Sequence, residues 1–136
     1  MVLVLLDACV LYPPSLRDLL LTLAALDAFH VAWTDEILEG VRLNVVADHP
    51  DIDPDRFVSH TLSAMKAAFP GAVVGGYEHL IGTLENNPKD RHVAAAAIAA
   101  GASAIVTENV RDFQSSVLEA AGIEVLTTGC RSEPPG

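Results

Sequence analysis

Three aspartates occupy positions from which chemistry could be done. Asp7 ends an apolar run, Asp90 opens an alanine-rich stretch, and Asp112 follows a second apolar run by a few residues. Converging carboxylates suit magnesium or manganese, which favour oxygen ligands; magnesium holds octahedral geometry at ~2.0–2.1 Å and keeps several waters. An ion held this way polarises a phosphodiester, activates a water and stabilises the leaving oxygen. Like charges packed without the ion repel one another and raise a pKa. Each acid alone has a plainer reading. Asp7 can cap a turn, Asp90 suits a helix dipole and Asp112 can cap a following helix. Their joint placement carries the argument.

That placement depends on the elements between them. Val2–Leu6 is an apolar run of strand length that reads as a strand buried on both faces. Pro13-Pro14 follows, and Ser15 is positioned to cap a helix over Leu16–Phe29. His30–Trp33 reads as a short extended piece, and Thr34 or Asp35 opens a second helix to about Val46. Asp53-Pro54-Asp55 starts a helix that Pro70-Gly71 stops near Phe69. Ala72–Val74 is expected as a short strand, Gly75-Gly76 as a turn, and Asn87-Pro88 as the start of a helix ending at Gly101. Ser103–Thr107 reads as a buried strand, Ser115–Ala121 as a helix and Ile123–Leu126 as a last strand. This alternation predicts an α/β/α sandwich around a mostly parallel sheet, whose ligands bind beyond the carboxyl ends of the strands. One domain over residues 1–128 is expected, with a frayed tail at 129–136.

Composition narrows the function. With 18 acids against 8 bases the formal charge is −10. That argues against a general nucleic-acid binder, because phosphate contacts need a basic surface. Carboxylates neutralised by divalent cations, an acidic face for a basic protein partner, and solubility each account for part of the excess. The histidines at 30, 49, 60, 79 and 92 lack zinc spacing, and His92 reads as a surface helix position. There is no GxSxG, GxxxxGK[ST] or GxGxxG, so nucleophilic serine and phosphate-loop chemistry have no support. Cys9 and Cys130 form no disulfide or zinc pattern, and Cys9 reads as a small buried hydrophobe. No apolar run reaches the ~20 residues of a membrane span, and MVLVLLDACV is a poor signal peptide, so a cytoplasmic setting is expected.

The stretch LLDACVLYPPSLRDLLL, followed by NPKDRHVAAAAIAAGASAIVTENVRDF, resembles the PIN-domain proteins, especially the VapC-type toxins and their bacterial relatives. The resemblance implies a PIN-like three-layer fold and a magnesium- or manganese-dependent ribonuclease. It also implies a single-stranded RNA substrate, a cognate antitoxin and a homodimer. Carried over by position, Asp7, Asp90 and Asp112 are metal-site acids, and Thr107 and Asn109 hydrogen-bond within the site. One position departs. A further family acid stands six residues after the Ser/Thr of a W-[ST] segment, and here Trp33-Thr34 places Gly40 there. Glu36 is one turn earlier on about the same face, and Glu39 is adjacent but rotated by roughly 100°. Either the site is rebuilt around Glu36 or Glu39, or the chain is a weakened nuclease acting mainly as a binding module.

Two phosphoryl-transfer classes on similar sheets fit less well. A dehalogenase-type phosphatase needs a second Asp two residues after the first, where this chain has Cys9. A response-regulator receiver needs an acidic pair, a central phosphoacceptor and a late Lys, and none is evident after Ser103–Thr107.

Overall fold

The computed structural model describes residues 2–84, 86–113 and 115–128; the tail expected at 129–136 lies outside them. Four short strands, β1 (Leu3–Leu6), β2 (His30–Ala32), β3 (Ala104–Val106) and β4 (Glu124–Leu126), pair in the order β2-β1-β3-β4, all parallel. Leu5 sits opposite Ala32 on one side and Ile105 on the other. A bridge from Trp33 to Val73 lengthens the β2 edge, in place of the three-residue strand expected at Ala72–Val74. The chain leaves β1 toward β2 on one side and is joined by β3 on the other. The crevice beyond β1 is therefore the switch point where such sheets bind ligands. Asp7 is the first residue past that end, and its N–H donates to the Val106 carbonyl at 3.0 Å.

Helices cover the sheet in a three-layer α/β/α sandwich: α1 (Ala8–Leu11), α2 (Pro14–Ala25), α3 (Asp35–Asp48), α4 (Pro54–Phe57), α5 (Ser63–Ala68), α6 (Arg91–Ala100) and α7 (Ser116–Ala120). α4 and α5 are one helical run joined by a wider π-type turn at Val58–Leu62. Short 3₁₀ turns occupy Glu78–Thr83, Pro88–Asp90 and Val110–Phe113. Val93 and Ala94–Ala97 of α6 are wholly buried, their small side chains letting the helix pack close to β1 and β3. Trp33, Phe113 and Leu118 supply the bulk that alanines cannot.

Both boundaries of α2 differ from expectation, and α6 begins at Arg91, after a 3₁₀ turn at Pro88–Asp90. Ser15 does not cap α2; Pro13 is the N-cap and Pro14 takes the first position, where a missing N–H and a fixed φ cost nothing. α2 also stops at Ala25, short of Phe29. Asp27 adopts φ 63°, its N–H reaches Ala24 O, and the Ala28 N–H reaches Leu23 O. α6 ends through the same pair of bonds, with Gly101 at φ 69°. This is the Schellman ending, which glycine fills without a Cβ penalty and aspartate only tolerates.

Candidate active site

Asp7 is buried and fully engaged. Its Oδ1 accepts the Ala8 N–H at 2.8 Å, capping α1, and its Oδ2 accepts the Thr107 hydroxyl at 2.8 Å. Thr107 follows β3, is wholly buried, and its Oγ1 accepts the Asn109 N–H at 3.0 Å. The Asn109 carbonyl then accepts the Asp112 N–H at 2.9 Å. A continuous relay of hydrogen bonds thus runs from the end of β1 through the loop after β3 to Asp112. Asn109 enters it through its backbone.

Asp90 ends the Pro88–Asp90 turn and leads into α6. It is 8% exposed, and its Oδ2 has no hydrogen-bond donor among the described residues. Burial first, then the charges of Asp7 and Asp112, push its carboxyl from an ordinary 3.8 up to about 6, with Lys89 opposing. Three acids spread over more than a hundred residues therefore lie within electrostatic reach of one another. Asp112 is half-buried in the Val110–Phe113 turn and does not cap α7; the Ser115 hydroxyl does that, accepting the Val117 N–H at 3.2 Å. Asn87 ties the Asp112 and Asp90 segments together, its N–H reaching Asp112 O at 3.1 Å and its Nδ2 reaching Asp112 Oδ1 at 3.4 Å.

The two candidate fourth acids separate. Glu39 is exposed and gripped by the Arg42 guanidinium, whose Nε lies 3.1 and 3.0 Å from its two oxygens; that hydrogen bond holds its carboxyl below the usual range. Glu36 faces the other way. The buried Tyr77 hydroxyl donates to its Oε1 at 3.1 Å, and His92 Nδ1 lies 3.7 Å from the same oxygen. Gly40 packs against the residue after Asp7: a Cβ built there lies 3.5 Å from Ala8 Cβ, an ordinary contact.

Cys9, Asn87 and Tyr77 are not readable from sequence as neighbours of the acids, whereas His92 stands beside Asp90 in the chain. Cys9 Sγ accepts the Glu108 N–H at 3.2 Å and lies 3.6 Å from Asp7 Oδ2; burial first, and then Asp7, push its thiol up. His92 reads as a surface position in sequence, yet its side chain is only 20% exposed. The one available signal for Cys9 and His92 was spacing, since each stands two residues after an acid. Among the basic neighbours, Arg91 donates its Nε–H to Asn86 O at 2.9 Å.

Among the described residues, no three His, Cys, Asp or Glu side chains close on one ion unaided. The donor set nevertheless fits a hard divalent cation. Such an ion needs only a couple of carboxylates and completes its shell with water. The unpartnered oxygen of buried Asp90 is the kind of acceptor it would satisfy.

The arrangement resembles known proteins at two levels. The crystal structure of FitAcB from Neisseria gonorrhoeae superposes with a TM-score of 0.59 over 90% of this chain and 96% of that one, at 17% identity. The fold is PIN-like. At the level of sequence, a 51-residue stretch is 43% identical to a protein named "Putative ribonuclease VapC50" from Mycobacterium tuberculosis (strain ATCC 25618 / H37Rv). That stretch is 38% of this chain and spans 30% of the relative's length. The resemblance to VapC-type PIN-domain proteins therefore holds in fold and, locally, in sequence. No protein-family model matches the chain. No helix among the described residues is long and apolar enough to cross a membrane.

Proposed function

We propose that this PIN-like chain is a magnesium- or manganese-dependent endoribonuclease acting on single-stranded RNA. In this reading it is the toxin of a toxin–antitoxin pair, a cytoplasmic homodimer held in check by an antitoxin. The observation that carries the nuclease reading is Asp90, a buried carboxylate with an unpartnered oxygen, raised to about 6 by burial, Asp7 and Asp112. A fold has no stability reason to hold three acids so, and a cation removes the penalty. Local similarity to a protein named as a ribonuclease points to the same chemistry. An acidic chain of charge −10 also suits a basic antitoxin segment, whose arginine would compete with the ion for the acids.

Asp7, Asp90 and Asp112 would hold the ion directly or through waters. Bound there, magnesium or manganese would supply Lewis-acid polarisation of the phosphodiester and a water more easily deprotonated. The chain's own residues fix the ligands. Thr107 holds Asp7 Oδ2 in place, the Asn109 N–H holds Thr107, and Asn87 sets Asp112 beside Asp90. Lys89 and Arg111 adjoin Asp90 and Asp112 in the chain and would meet RNA phosphates.

A second reading, a weakened scaffold that mainly binds partners, draws on Gly40 and on the lack of a closed three-residue metal group among the described residues. One assay separates the two. Cleavage of single-stranded RNA is measured with manganese and with chelator, for the chain, Asp90→Asn and Gly40→Glu. The nuclease reading expects manganese-dependent cleavage that Asp90→Asn loses. The scaffold reading expects none until Gly40→Glu supplies a carboxylate beside Ala8.

A further inference from the structure

Glu36 is a carboxylate whose place is fixed by neighbours other than the three aspartates. Its Oε1 is pinned by Tyr77, a buried phenol standing just before the Glu78–Thr83 turn, and faces His92 at the start of α6. Its side chain is 55% exposed, and among the described residues its Oε2 takes no hydrogen bond. His92, which Glu36 faces, stands two residues beyond Asp90 on the same segment. Three elements thus meet to present one fixed anion, held by Tyr77 and facing a histidine two residues along the chain from Asp90. Glu39, one turn along α3, is instead committed to Arg42.

A fixed carboxylate on the path of a nucleic acid repels phosphates and can accept only from hydrogen-bond donors. On the sugar–phosphate backbone the sole donor is the ribose 2′-hydroxyl, which DNA lacks. We propose that Glu36, positioned by Tyr77, accepts the 2′-hydroxyl of a bound nucleotide through its free oxygen and so selects RNA over DNA. The inference rests on the nuclease reading. Tyr77 is a positioning residue, since it reaches substrate only through Glu36.

The test uses manganese-dependent cleavage of an RNA oligonucleotide, its all-DNA counterpart and RNAs carrying single 2′-deoxy substitutions. Wild-type chain is compared with Glu36→Ala, Glu36→Gln, Tyr77→Phe and, as a control, Glu39→Ala. Glu36→Ala is expected to lower the RNA-to-DNA ratio of kcat/KM tenfold or more, while manganese binding by calorimetry is unchanged. One 2′-deoxy position should mimic that loss in wild type and cost nothing further in Glu36→Ala. Glu36→Gln, which keeps a carbonyl acceptor, should recover part of the ratio, Tyr77→Phe should lose part, and Glu39→Ala should keep all of it. An unchanged ratio in Glu36→Ala, loss of manganese binding in that variant, or wild type that cleaves both polymers equally overturns this inference and leaves the nuclease reading standing. Wild type that cleaves neither overturns both.

Discussion

Asp7 and Asp90 are nearly equal in burial and opposite in circumstance. Asp7 is a finished piece of structure, its oxygens occupied by the Ala8 N–H and the Thr107 hydroxyl. Asp90 has an oxygen that nothing among the described residues satisfies, and a carboxyl pushed up to about 6. One acid is fixed by the fold, and the other is held in readiness by it. A site that binds a hard cation needs both kinds. A rigid ligand sets the position, and an under-satisfied one gains most when the ion arrives.

The comparison breaks or sharpens at several points. The largest effect is expected on cleavage: Asp7→Asn and Asp90→Asn should each lose manganese-dependent RNA hydrolysis by more than about a hundredfold, the scale on which metal activation operates. Equal loss with opposite effects on stability would be the sharpest outcome. In urea melts without metal at pH 7, Asp90→Asn is expected to gain about 1 kcal/mol after solvent screening, while Asp7→Asn, which gives up a hydrogen-bonded acceptor, loses about 1 kcal/mol. Matching signs would erase the distinction drawn between the two acids.

Next comes Thr107→Val, which removes the donor to Asp7 Oδ2 and the acceptor for Asn109. It should weaken manganese binding and cleavage 10- to 100-fold, the range typical of outer-shell partners, as read by calorimetry and initial rates. Smaller again is a pH effect. Because Asp90 titrates near 6 in the folded chain and 3.8 is its ordinary value, the folded state holds more protons between those limits. Stability without metal should therefore fall as pH rises from about 4 to 6, and manganese affinity should climb over the upper part of that window. Asp90→Asn should flatten both trends. The smallest effect lies away from the site: Asp27→Gly at φ 63° should stabilise by up to ~1 kcal/mol, measured by thermal melting.

The Schellman endings of α2 and α6 show what sequence can and cannot announce. Gly101 marks the end of α6 because glycine alone enters the left-handed region freely, and that boundary reads directly from the chain. Asp27 makes the same turn without glycine's freedom, so nothing in the residue types at the end of α2 betrays it. The parallel sheet was legible from strands alternating with helices, and the meeting of Asp7, Asp90 and Asp112 from the rule that strand ends converge. The contacts around Glu36 were not. They depend on a 3₁₀ segment at Glu78–Thr83 with no strong pattern, and on the rotation of α6 that turns His92 inward. Helical geometry gave Glu36 and Glu39 separate faces, but only the packed neighbours show that one meets Tyr77 and the other Arg42.

The position of β1 at the centre of the sheet bears on how the chain comes to exist at all. β1 is made first, can register with β2 after some thirty residues, and waits another seventy for β3. Non-local pairings of this kind are slow to form and are completed late. The bond from Thr107 to Asp7 spans 100 residues. During synthesis the acids are therefore dispersed on an unfinished chain, and their cluster forms only when nearly the whole domain has emerged.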